Sequence, residues 1–474
     1  MAITRVTSPL LISVLLTGLI PSVSVAQGTA DAYLSFLMAR RLEADGDNAG
    51  ALAALKRAAE VDPTSAEVRA ETAGFHLRHN ERSQAEVEAK AALGLDPDNA
   101  GANRTLGVIN AAAFEASSGK ASAAQTTTYL RDAITYLERA ASATPVTTDV
   151  RLYDTLGRLY LQNGQLDKAI ESFTRVLNQN PDSVEARLYL AQAYATGKDL
   201  KRAIGTLQEI VEYAPRVAFA LGQYQEEAGL LADAVDSYTV ALSVRPGDRE
   251  LKVRRIVALL DAKEYVRAAG FAADARKQHS TDTRFVRLQA RALFDGGDRS
   301  GAIALLEQVV KDTPRDSGTL FTLADIYADA GRTTDAERTL RQVIAAEPAN
   351  ANALNYLGYL LAVRGERLDE AIQLVQQALK AEPQNGAYLD SLGWAYFRRG
   401  DLDEAEKYLA AAATRLPANS EVQDHLGDLF ARRGRFADAI GAWTRALEGD
   451  GQDVDKAAIE KKIANAKGKV QNAK

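Results

Sequence analysis

The sequence predicts an all-α solenoid of about twelve stacked helix pairs, and three spacings carry that expectation. Ten of its twelve prolines, Pro63, Pro97, Pro145, Pro181, Pro215, Pro246, Pro314, Pro348, Pro383 and Pro417, follow one another at gaps of 34, 48, 36, 34, 31, 68, 34, 35 and 34 residues. Proline lacks the N–H a helix interior needs, so its return about every 34 residues marks one helix end repeated. If these prolines are position 32 of a repeat, position 8 is small in eleven of twelve repeats: Ala39, Ala73, Gly107, Gly157, Ala191, Gly222, Ala290, Ala324, Gly358, Gly393 and Gly427, with Ile256 the exception. Position 20 is alanine in all twelve, from Ala51 to Ala439. Small residues where two helices cross permit close backbone approach, and large apolar residues nearby fill the remaining space.

In chain order, the first element is a targeting segment. Met1 to Arg5 is short and positive, Leu10 to Ile20 is apolar, and Ser24 and Ala26 are the small residues of a cleavage site. This is a secretory signal peptide pattern over residues 1–26. Its apolar run is too short to span a bilayer, so an exported, periplasmic mature chain without an integral membrane span is expected. Repeats 1–6 then occupy 27–255 and repeats 7–12 occupy 256–451. The 48-residue gap places an insertion at about 111–126 in repeat 3, read as an extended helix and a loop around Ser117-Ser-Gly-Lys. Ile256, and Ser280 at a proline position, predict less regular packing in repeat 7. Residues 452–474 form a capping helix and basic tail, with Ile459, Ile463 and Ala466 on one face.

Leu156-Gly157…Tyr160…Ala169…Phe173…Pro181 and Leu392-Gly393…Tyr396…Ala405…Leu409…Pro417 resemble the tetratricopeptide repeat (TPR). The resemblance spans nearly all of the mature chain and implies a right-handed superhelix whose first helices line a concave groove. The stretch around Tyr388-Leu-Asp-Ser-Leu-Gly-Trp394 and His425-Leu-Gly-Asp428 is similar to exported proteobacterial TPR proteins. Some of these are lipoproteins that act as adaptors for a periplasmic carboxyl-terminal processing protease. This chain lacks the lipid-bearing cysteine.

Composition narrows the chemistry. Zero cysteine removes disulfides, thiol catalysis and Cys-ligated metals, and a net charge of −6 gives no general attraction to nucleic acid. The sequence holds no Walker A loop, nucleophile elbow or H-E-x-x-H motif. Gly296-Gly297-Asp-Arg-Ser-Gly301 is glycine-rich but sits where a helix turn belongs. His76 and His79 could share a helix face, yet His76 occupies a packing position and no third ligand is evident. His425, beside Asp424 and Asp428, reads as a groove or surface residue rather than a general base. No enzyme, cofactor or metal is expected.

In the TPR family, first-helix positions 2, 5, 9, 12 and 13 build the partner groove. Mapped onto this chain they give Asn352, Asn355 and Tyr359 from repeat 10, Asp390, Trp394, Phe397 and Arg398 from repeat 11, and Asp424, Asp428 and Arg432 from repeat 12. Aromatic, amide and charged groups together suit an extended peptide, although Trp394 and Phe397 could instead pack between helices. A second patch, Arg284, Arg287 and Arg291 with Arg254 and Arg255, could dock a carboxylate, or be neutralised by Asp325 and Asp329. The expected function is a non-catalytic protein-interaction scaffold or adaptor. The alternatives are a helper in cell-wall turnover or polysaccharide export, and self-association through the insertion.

Overall fold

A computed structural model describes residues 20–117, 122–142, 149–451 and 454–472. The charged start and most of the apolar run of the expected signal peptide lie outside these residues, as do the centre of the insertion and Pro145. Among the described residues the elements are helical, 25 α-helices and one 3-10 turn, with no strand. They form twelve antiparallel pairs and a final single helix: the α-solenoid expected.

Each repeat is assembled by the same local chemistry. In repeat 8, Asp282 caps the first helix, Thr283–Asp295, by accepting from the Arg284 N–H, and Asp298 caps the second, Arg299–Asp312, through the Gly301 N–H. Such caps satisfy backbone donors that have no partner within the helix. Several of the prolines sit two residues before caps of this kind, as in Pro63-Thr-Ser65, Pro97-Asp-Asn99 and Pro348-Ala-Asn350. Repeat 8 keeps its cap with Ser280 in the proline position, so the missing proline costs no helix boundary. Between the two helices of a pair the chain turns through a left-handed residue, among them Gly164, Gly297 and Gly434. Gly296-Gly297 is this turn in repeat 8.

The crossing of each pair is fixed by size matching between positions 8 and 24. A Cβ built on Gly157 would lie 2.7 Å from Phe173, one on Gly222 2.6 Å from Tyr238, and one on Gly427 2.4 Å from Trp443. The glycine is therefore the space the aromatic ring fills. Repeat 7 inverts the arrangement: Ile256 stands at position 8 and Ala272 at position 24, and both are buried. Its departure from the pattern exchanges large and small between these two positions, with both side chains still buried.

The chain divides into two compact bodies, Met1–Val244 and Arg245–Lys474. The sequence-based division at 255/256 lies eleven residues beyond this boundary. Arg249–Asp261 is one helix, the first of repeat 7, and a cut at 255 would split it. In the N-terminal body, repeat 3 absorbs its insertion by lengthening both helices, Ala100–Ala116 and Ala123–Ser142. In the C-terminal body, the capping helix Lys456–Asn472 buries Ile459 and Ala466 against a cluster containing Ala439, Trp443 and Ala446, with Ile463 packed alongside.

Candidate functional site

The first helices of repeats 9–12 are Ser317–Asp329, Ala351–Arg364, Gly386–Arg399 and Ser420–Arg432. Together they line a cavity of about 440 Å3 within the C-terminal body. Asn352, Asn355, Tyr359 and Asp390 are among its walls. Asn352 Oδ1 accepts a 2.6 Å hydrogen bond from the Tyr388 hydroxyl, and Tyr359 donates to Glu421 of repeat 12. Asp390 is buried, and its Oδ2 lies 2.9 Å from His425 Nδ1. The Trp394 ring stacks on His425 with centroids 4.0 Å apart.

Burial opposes a charge on His425, but the Asp390 carboxylate and its hydrogen bond, reinforced by Glu421 and Asp424, outweigh it and raise the imidazole pKa. Asp390 Oδ1, Asn355 Oδ1 and Trp394 Nε1 are buried without a hydrogen-bond partner among the described residues. Burial and the nearby Asp329 also push Asp325, at the repeat 9 side of the cavity, toward its protonated form, against Arg291 and the Tyr356 hydroxyl.

Other groove residues are used inside the chain. Phe397 is buried, stacks on Trp394 at 4.9 Å, and lies beneath the Arg432 guanidinium. Trp394 and Phe397 thus pack between neighbouring first helices, the alternative left open by the sequence. Arg398 donates to the Val363 carbonyl at 2.6 Å. Asp424 and Asp428, expected to face a partner, both hold Lys462 of the capping helix, at 2.8 Å each. Asp428 also accepts from Trp443 Nε1. Within the chain, the cap's lysine thus already occupies these two carboxylates. Burial works against the Lys462 charge, but hydrogen bonds to the two carboxylates raise its pKa.

Two arginines of the basic patch, Arg284 and Arg291, pair with the chain's own acids. Arg284 pairs with Asp282 at 2.9 Å and Glu250 at 3.0 Å. Arg291 meets Asp295, Asp325 and Asp329 at 2.9, 3.3 and 2.9 Å. Arg287 lies along its own helix near the Thr283 carbonyl, Arg254 is half-buried, and Arg255 covers the Phe271 ring at 3.5 Å. Through Arg284 and Arg291, ion pairs link repeats 7, 8 and 9. His76 pairs with Glu81 at 2.5 Å and His79 approaches Glu43 at 3.4 Å.

The sequence reading missed Tyr356, Ser391 and Glu421, which also line the cavity. Tyr356 and Ser391 occupy position 6 of their repeats. That position lies one turn beyond position 2 and so shares its face, a spacing signal that could have found them. In the N-terminal body a larger open cleft, about 550 Å3, lies between repeats 4 and 5. Its Arg202 is already paired with Asp199 and covers the Tyr194 ring.

Paired helices stacked in register, with a polar groove along the first helices, define a helical-repeat interaction scaffold. Tetratricopeptide-repeat profiles match residues 42–109 and 362–429, 155–218 and 321–386, and 191–348. The chain belongs to the tetratricopeptide repeat family. It is 34% identical over 213 residues to a TPR repeat-containing protein of Pseudomonas aeruginosa, the match covering 44% of this chain and 35% of the relative. It is 24% identical over 214 residues to the cellulose synthase 2 operon protein C of Komagataeibacter xylinus, covering 44% and 15%. The chain thus spans about a third or less of the length of these curated relatives. Among solved structures, yeast Tom70 aligns over 93% of this chain and 96% of its own, at 13% identity and a TM-score of 0.45.

Proposed function

We propose that this protein is exported to the bacterial periplasm and acts there as an adaptor, holding extended segments of partner proteins in the groove of repeats 9–12 and presenting them to an envelope protease. The observation that carries the groove assignment is the cavity lined by Asn355, Tyr359, Asp390 and Glu421, in which Asn355 Oδ1 and Asp390 Oδ1 find no donor among the described residues. An extended peptide brings unpaired backbone donors, the kind of group such acceptors lack. The signal pattern of residues 1–26 supports export, and the resemblance of repeats 10–12 to exported proteobacterial TPR proteins supports the adaptor role.

The test is capture of partners from an envelope extract with wild-type protein and with Asn355→Ala/Tyr359→Ala, whose side chains are only half-buried. Loss of specific partners from the variant is expected. Unchanged recovery of every partner would remove the groove assignment. Fractionation of cells expressing the full chain tests export, with the shortened, processed protein expected in the periplasmic fraction.

A second reading, a helper in polysaccharide export or cell-wall turnover, is favoured by the match to the cellulose synthase operon protein. Co-sedimentation with insoluble cellulose and with peptidoglycan separates the two. Binding there that survives the groove substitutions favours the second reading.

A further inference from the structure

The cavity of repeats 9–12 carries carboxylates from three helices, Asp325, Asp390 and Glu421, and no lysine or arginine among the described residues that line it. The same first-helix face shows twice how such carboxylates are satisfied. In repeat 9, Asp325 and Asp329 take the Arg291 guanidinium, and in repeat 12, Asp424 and Asp428 take the Lys462 ammonium. At both places a long cationic side chain of this chain reaches across from a neighbouring helix.

Asp390, between them, has only the imidazole of His425 on Oδ2, while Oδ1 has no hydrogen-bond partner although the residue is 4% exposed. Asn355 Oδ1, on the facing helix, is also without a donor. A buried acceptor left unpaired costs about 1–3 kcal/mol, and more if it is charged. The missing group is a donor, and since Asp325 is already held by Arg291, it is the Asp390 and Glu421 carboxylates that favour a positive one.

Resting on the groove reading above, we propose that this cavity receives a lysine or arginine side chain from an extended partner segment. Its cationic head lies against Asp390 and Glu421, and its stem lies along Tyr359. Glu421 keeps its bond from the Tyr359 hydroxyl, since a carboxylate accepts more than one donor. The site would repeat, with a cation from outside, the pairing that Arg291 and Lys462 make from within.

The test uses fluorescence anisotropy of the full chain with five fluorescein-labelled alanine/serine heptapeptides, alike except for a central arginine, lysine, citrulline, norleucine or glutamate. The arginine and lysine peptides are expected to bind at least about tenfold more tightly than the citrulline and norleucine peptides, and the glutamate peptide most weakly. Asp390→Asn should abolish the preference. Because Asp390 is buried, Glu421→Gln at a half-buried position serves as the second variant and should reduce it, with helicity checked for both. Equal affinity for all five peptides, or a preference that survives both substitutions, overturns the proposal. If all five bind equally and Asn355→Ala/Tyr359→Ala weakens them all, the groove assignment stands and the cation preference falls. If none binds and that variant also leaves envelope capture unchanged, both fall.

Discussion

Gly427 and Gly270 are both helical glycines, and they should respond oppositely to one added methyl. A Cβ at Gly427 would meet Trp443 at 2.4 Å, whereas one at Gly270 would meet nothing within 4 Å. Gly427→Ala is therefore expected to destabilise by about 1–3 kcal/mol, because overpacking exceeds the gain in helix propensity. Gly270→Ala should stabilise by about 0.5–1 kcal/mol. Chemical denaturation monitored by helicity checks both. At His425 the folded state holds the proton more tightly than the unfolded chain does. Its contribution to stability is thus fully present below the unfolded pKa of about 6.5 and is lost as pH rises through the higher folded value. Thermal denaturation across that window should show wild type losing stability relative to His425→Gln as pH increases. A flat difference between the two would remove the Asp390–His425 pair as its source.

At the scale of elements, the turns within each pair and the final helix are the informative parts. Lys263 takes φ 61° at the turn where most repeats place glycine. A side chain in that region is strained, so Lys263→Gly is expected to stabilise by about 0.5–1 kcal/mol, read as a higher denaturation midpoint. The capping helix does two things at once, covering Trp443 with Ile459 and Ala466 and placing Lys462 between Asp424 and Asp428. Lys462→Ala leaves two carboxylates close together in a partly buried site and should cost about 1–3 kcal/mol. Lys462→Met separates the lost charge from the lost packing. If the methionine variant is as stable as wild type, packing rather than the ion pair holds the cap.

For the whole molecule, stability in a stacked array is a sum over repeats and their nearest neighbours, so damage stays local. A substitution such as Gly157→Val, which drives a side chain into Phe173 in repeat 4, should lower amide hydrogen-exchange protection in repeats 3–5 and leave repeats 9–12 protected. Uniform loss of protection through both bodies would mean that the array unfolds as one unit. The acids and bases follow the same neighbour logic. Arg284 with Glu250, Arg291 with Asp325, and Lys462 with Asp424 are each separated by about one repeat length, so their charges cancel between adjacent helices.

The sequence by itself determined the repeat length, the helix pairs, the glycine and alanine crossings, the insertion and the cap, because each depends on residues at fixed short spacings. It also placed Asn352, Asn355, Tyr359 and Asp390 on the face that forms the cavity. It did not determine which groove residues are open to a partner. Asp424 and Asp428 are closed by Lys462, more than thirty residues away, and Phe397 is covered by a ring and a guanidinium on either side. Even the irregularity of repeat 7 was legible only in part: Ile256 departs from the pattern, but Ala272 across the helix pair supplies the space it needs. Only the tertiary structure decided these points, because whether a buried acid or ring is satisfied depends on what packs against it from the next repeat, and a linear pattern fixes the face of a helix but not its neighbours' side chains.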